Sequence, residues 1–246
     1  MYSPAQDGFS AHADAVRYSE LAPPPEIGHL VHSFWELRTL SELSDDFLYH
    51  ALPDACVNLL FNQQDPRIAG ITALQTTSRI LNLGRSFHYV GIQFFPGVWQ
   101  GDRAELLDSY VGTPYEGSLP LVDTGTRMHP LDFPEKIPAL IDQVHWCIQH
   151  RYIAPNPVTA RILRRIDEIR TVADMADAVG LSSRQLHRVL KSCIGLSPQE
   201  FLKLLRLQRS FHTHYLDVYA DQSHFIHAFR DATGYTPQRY RSAFRG

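Results

Sequence analysis

Apolar residues recur at three- and four-residue spacing through Val172, Met175, Ala176 and Val179, and again through Leu186, Val189 and Leu190. Gly180, Leu181 and the pair Ser182 and Ser183 separate the two runs. This spacing predicts two short helices set at an angle by a glycine-containing turn, a helix-turn-helix. Thr171 is placed to cap the first helix and Gly180 to end it, and Ser182 or Ser183 to cap the second. Downstream, Ser197, Pro198 and Glu200 form a helix start, followed by an apolar face of Phe201, Leu204, Leu205 and Leu207. Asp221 or Ser223 then opens a helix with Phe225, Ala228 and Phe229 inward. Gly234 ends it, and Thr236 with Pro237 begins a last short helix through Tyr240.

The first 150 residues follow a different pattern. Short apolar runs at 30–37, 56–61, 67–72 and 89–96 are bounded by Pro, Asp, Asn and Gly, which predicts several strands in a small barrel or sandwich. Helices are predicted over 98–110 and 134–151. The second carries Ile137, Leu140, Ile141, Val144 and Ile148 along one side, a stripe suited equally to packing on the chain's own strands or to a homodimer contact. Residues 154–157, Ala-Pro-Asn-Pro, read as a linker because two prolines oppose both helix and strand. The expected class is α+β: a β-rich domain over 1–153 and an all-α domain over 158–246.

The outer face of the second helix of the helix-turn-helix carries Ser183, Arg184, Gln185, His187, Arg188 and Lys191, side chains of the kind that read base edges and clamp phosphates. In a helical protein such a face is otherwise simply solvated. Charge distribution favours the first alternative. Residues 151–246 hold 15 Lys and Arg against 8 Asp and Glu, a balance of +7, whereas residues 1–150 hold 8 against 18, a balance of −10. The net charge of −3 therefore hides a basic half suited to a polyanion.

The text IGLSPQEFLKLLRLQRSF, followed by DQSHF, AFR, a Gly, Thr-Pro and Tyr-Arg in that order, resembles the AraC/XylS family of bacterial transcription regulators over about 158–245. The resemblance implies two helix-turn-helix units bridged by a long helix, and double-stranded DNA as partner. It places the helix around Arg184 to Lys191 in the major groove, where Arg184, His187 and Arg188 are expected on base edges, since Arg offers guanine a bidentate fork, and Lys191 on phosphate as a point charge. Gln222, His224, His227 and Arg230 would be the counterparts in the second unit. One departure stands out: SFHTHYLDVYA occupies a space about a dozen residues too short for the second unit's first helix. That helix is expected to be missing or reduced to a turn around Tyr215 to Tyr219, leaving Phe225 and Phe229 incompletely covered.

Two segments of the amino-terminal half, YHALPDACVNLLFN and HYVGIQFFPGV, resemble the motifs of a cupin-like domain attached to one subgroup of these regulators, with Ala55 where that subgroup usually has Gly. A cavity lined by Phe34, Trp35, Phe61, Phe94 and Trp99 could hold a small effector, although aromatic residues on strands are more often core. The histidines of this half, His12, His29, His32, His50, His88, His129, His145 and His150, form no recognisable ligand set, and no phosphate loop or nucleophile motif is present. No metal and no cofactor are expected, and the protein is expected to act by binding and not by catalysis. The alternatives are a truncated relative acting by dimerisation without DNA, and a cupin-type metal enzyme.

With 44% apolar residues over 246 positions, the chain can support two packed cores. Cys56, Cys147 and Cys193 are widely spaced in apolar contexts and suit a reducing cytoplasm. The first 25 residues show no basic start with an apolar core, and no run approaches the roughly 18 residues needed to cross a bilayer, so no membrane partner is expected.

Overall fold

The computed structural model describes residues 15–72, 74, 76–107 and 112–244. His12 and residues 108–110 of the predicted 98–110 helix lie outside this set. Strands β1 (Val16–Leu21), β2 (Val31–Thr39), β3 (Leu48–Ala51), β4 (Val57–Asn62), β5 (Ala69–Thr72), β6 (Arg79–Asn82), β7 (His88–Phe94) and β8 (Leu106–Leu107) precede helices α1 (Leu121–Met128) and α2 (Phe133–Gln149). Then follow α3 (Pro157–Arg164), α4 (Val172–Val179), α5 (Ser183–Cys193), α6 (Pro198–Arg209), α7 (Gln222–Thr233) and α8 (Pro237–Phe244). The α+β class expected from the sequence is the class observed.

Six strands form one sheet in the order β1-β2-β7-β4-β5-β8, antiparallel except for β5 with β8, while β3 and β6 pair as a separate two-stranded ribbon. Alternation along the strands gives the sheet two different faces. Phe34, Leu59, Phe61, Ile92 and Phe94 point to the side covered by α1 and α2, and cluster with Leu121, Met128, Leu140 and Val144. Trp35, Leu37, Leu60 and Tyr89 point to the other side, under the ribbon's Leu81 and the adjacent Leu83. The Trp35 indole lies so close over β7 that a Cβ on Gly91 would come within 2.3 Å of it, which reserves that position for glycine.

The apolar stripe on α2 is therefore spent on this chain's own sheet: Leu140 and Val144 are fully buried, while Ile148 at the helix end is exposed. The predicted helix over 98–110 is not formed. Trp99 makes an isolated bridge with Ile153, Asp102 caps a 3-10 turn at Arg103–Glu105, and β8 follows. Gly101, in close contact with Trp99 and Tyr152, interrupts the periodic pattern there. Helix α1 has no counterpart in the predicted pattern because Thr124, Gly125 and Thr126 are weak helix formers. It is held instead by tertiary contacts, including the Thr124 hydroxyl donating to Gln143 at 2.8 Å.

The predicted linker is ordered. Ala154 N donates to Val98 O at 3.0 Å, and Asn156 caps α3 while its amide nitrogen donates to Gly97 O at 3.3 Å. Helices α3 to α6 share one core in which Met175, Leu186, Leu190, Ile194 and Phe201 are fully buried, and Ala55 and Cys56 of the amino-terminal half join it.

Candidate nucleic-acid interface

The geometry of the helix-turn-helix begins with its caps. Thr171 and Asp174 form a reciprocal capping box on α4, and backbone N–H donors from Arg170 and Thr171 hold the Asp174 carboxyl below its ordinary range. Gly180 closes α4 in the left-handed conformation, φ 69°, which a side chain would resist. Ser182, and not Ser183, caps α5, in a second reciprocal box with Gln185. The Gln185 carbonyl oxygen accepts from Ser182 N at 2.9 Å, so this side chain is committed to the cap. Leu186 and Leu190 anchor the inner face, and Val189 is half-buried.

The outer face of α5 carries Ser183, Arg184, His187, Arg188 and Lys191, all exposed. Arg184, His187 and Arg188 have no hydrogen-bond or ion-pair partner among the described residues. Lys191 differs. Its ammonium donates to Gly195 O and to Glu200, both at 3.2 Å, which ties the end of α5 to the start of α6. Glu200 also accepts from Ser197 N at 2.6 Å, and these donors, led by that backbone N–H, bring its carboxyl down to about 2.

Arg103, from the acidic half, is a residue that periodicity gives no means of finding. Its guanidinium donates to Ser192 O at 2.5 Å, where the last carbonyls of α5 lack intrahelical partners and the helix dipole favours a cation.

In the second unit, Asp221 caps α7 by accepting from His224 N at 2.8 Å, and Gly234 ends it with φ 79°. Gln222, His224, His227 and Arg230 are all exposed, with the His224 ring edge-on to Tyr219 at 5.8 Å. Between α6 and α7 stands only a 3-10 turn, Tyr215–Asp217, in the position expected for a reduced first helix. The expected gap in cover does not follow. Phe225 is 8% and Phe229 4% exposed. Tyr215 stacks on Phe225 at 5.0 Å, Phe211 and Tyr240 flank Phe229, and Leu52 of the amino-terminal half completes the cluster.

The five aromatic residues considered for an effector site do not come together. Phe34, Phe61 and Phe94 are fully buried in the core beneath α1 and α2, because alternation turns them away from the ribbon. Trp99 lies between the two halves, beside Arg103, Asn156 and Ser192. Only Trp35 borders the cavity under the ribbon, with Tyr18, Tyr49, Leu81, Tyr89, Asp54 and Asn58 among its other walls. Trp35 Nε1 donates to Asn58 there at 3.1 Å. The half-buried Asp54 accepts from Cys56 N and from Gln93, yet burial still raises its carboxyl to about 7. Among the described residues, no group of three or more His, Cys, Asp and Glu is placed to hold a metal, and no helix is long and apolar enough to cross a membrane.

Residues 167–203 match the family described as bacterial regulatory helix-turn-helix proteins, AraC family, and residues 19–101 match a domain of unknown function, DUF6597. The first match covers α4, α5 and the start of α6, the intact unit. The chain is 38% identical over 78 residues to the HTH-type transcriptional activator RhaS of Escherichia fergusonii; the match covers 27% of this chain and 28% of that protein. The chain thus spans under a third of the length of that relative. Among solved structures it is similar to an apo lysine-to-alanine variant of ToxT from Vibrio cholerae, with 13% identity, a TM-score of 0.44, and 93% and 97% of the two chains covered.

Proposed function

We infer that this chain, an AraC/XylS-type protein by its helix-turn-helix, is a sequence-specific DNA-binding transcription regulator. The observation that carries this reading is the outer face of α5. Arg184, His187 and Arg188 project, unpartnered among the described residues, from a helix whose start is fixed by a capping box and whose inner side is locked by Leu186 and Leu190. Such a face is preorganised for a major groove, with Arg offering a bidentate fork to guanine and His a single donor or acceptor. The positive balance of residues 151–246 supplies attraction to phosphates.

In this reading residues 158–246 are the DNA-binding domain and residues 1–153 a cupin-like sensing domain. Ser183 stands at the start of the reading helix, and Lys191 acts on phosphate only by leaving Glu200. Helix α7 presents Gln222, His224, His227 and Arg230 to a second groove. The ribbon-covered cavity, with Trp35 and Tyr89 on its walls and Asp54 at its edge, is the place for a small effector. The protein acts in the cytoplasm by binding, without a cofactor.

Selection of genomic fragments by the purified full-length protein tests this. Recovery of a shared motif, with affinity falling steeply as salt rises, is the expected result. Recovery of no motif, or affinity indifferent to salt, overturns it.

A further inference from the structure

We propose that the β3 strap, His50 to Pro53, takes the place of the missing first helix of the second helix-turn-helix, so that the placement of α7 depends on the amino-terminal domain. The proposal rests on the reading above only in treating α7 as a DNA-reading element. In the first unit, α4 supplies Met175, Ala176 and Val179 to the core beneath the reading helix. In the second, the 3-10 turn at Tyr215–Asp217 contributes no buried residue, and the cover is shared between Val218 and Tyr219 just after it and Leu52 just after β3.

Leu52 is 8% exposed and sits in one cluster with Leu207, Phe225, Phe229 and Tyr240. Two more contacts reach the end of α7, whose final carbonyls have no partner within the helix. Ser78 N donates to Ala232 O at 2.7 Å, and His50 Nε2 lies 3.2 Å from Thr233 O. A carbonyl only accepts, so His50 carries its proton on Nε2 and its Nδ1 accepts from the Tyr240 hydroxyl at 3.4 Å. Burial lowers the pKa of this imidazole and favours the neutral form that this arrangement uses. Gln208 Nε2, on the bridging helix, donates to Pro53 O at 2.6 Å, which anchors the strap to the frame shared by both units.

The ribbon is also the element best placed to respond to the amino-terminal domain. It is hydrogen-bonded as its own two-stranded sheet, outside the six-stranded ladder, and its other side roofs the cavity, where Tyr49 and Ala51 are walls. Leu52 belongs both to the walls of that cavity and to the cluster around α7. The first unit is attached through Ala55, Cys56 and Arg103, whereas Leu52 and His50 reach only the second.

Hydrogen–deuterium exchange on the full-length protein tests the assignment. In Leu52→Ala and His50→Ala, exchange over 222–240 is expected to rise at least about tenfold while 172–193 and 88–94 keep their protection. On a selected DNA site the protected length should shrink to the part held by α5. Unchanged exchange at 222–240, or an equal rise in both units, overturns the proposal. Where a variant loses protection at 88–94 as well, Leu52→Val is compared in the same way, and a uniform response there also overturns it. Selective exchange in a protein that binds no DNA leaves the strap's role standing and removes the regulator reading instead.

Discussion

Arg103 joins the acidic half of the chain to Ser192 at the end of α5, through a guanidinium–carbonyl contact of 2.5 Å. A cation at a helix C-terminus contributes about 0.3 to 1 kcal/mol when exposed, as Arg103 is. Arg103→Ala is therefore expected to lower the melting temperature by roughly 1 to 4 °C. Its exchange signature should be faster amides around 190–196 with α7 unaffected. Faster exchange throughout α4 and α5 would show that the contact holds the whole unit and not only its end.

Arg188 has no structural partner among the described residues, so its removal is expected to leave stability unchanged to within about 0.5 kcal/mol. Arg188→Ala should weaken binding to a selected site by about 1 to 3 kcal/mol and relax base preference at one position. Lys191→Ala should behave differently, because Lys191 bridges Gly195 and Glu200. Its effect on thermal stability should exceed that of Arg188→Ala. Titrations and melting curves of the two variants, run side by side, check both expectations.

Ala55 lies at φ 59°, a left-handed conformation, in a position where the motif leads one to expect glycine. That conformation costs an alanine about 1 to 2 kcal/mol. Its methyl, though, is 1% exposed and packs with the helical core, and glycine would lose that burial and gain unfolded-state entropy. The terms nearly cancel, so Ala55→Gly is expected to stay within about 0.5 kcal/mol of the parent. Ala55→Val combines the same backbone strain with a branched side chain and should cost about 2 kcal/mol or more. Urea denaturation gives both values, and a stable Val variant would reject the strain.

Asp54 gives the fold a pH dependence of definite sign. Its folded carboxyl titrates at about 7, above the ordinary 3.8. Between those values the folded chain holds a proton that the unfolded chain has released. The contribution of this group is therefore fully present below the ordinary carboxylate range and is lost as pH rises through about 7. Asp54→Asn should remove that slope, so the variant gains on the parent in denaturation midpoint as pH rises from about 5 to about 8. A difference that is flat across this interval would show that Asp54 stays ionised in the folded protein.

The intact helix-turn-helix is legible almost residue by residue, because its signals are local. Thr171, Gly180 and Ser197 act on backbone groups within a few positions and form as read, and of the paired candidates Ser182 or Ser183 and Asp221 or Ser223 the first of each is the cap that forms. The same local rules misplace a helix at 98–110 and miss α1, where packing on β4 and β5 overrides weak propensity. Strands β1, β3 and β6 escape them too, since edge and ribbon strands carry mixed patterns and gain their place only by pairing. The aromatic residues fail as a group for a related reason. Period-two alternation sends Phe34 and Trp35 to opposite faces, and only the assembled sheet says which face is core and which is cavity.

The sequence by itself determined where the helices after Thr171 begin, which of their faces are apolar, that the basic charge resides in this half, and that the second unit lacks a helix. These follow from interactions between residues close along the chain. Only the tertiary structure decided how that loss is met, because Leu52, His50 and Ser78 reach the second unit from the far half of the chain, His50 across 183 positions to Thr233. Contacts at such separation leave no periodic trace in a single chain. Their existence depends on a sheet, a ribbon and a helical lobe closing on one another, which is settled by packing alone.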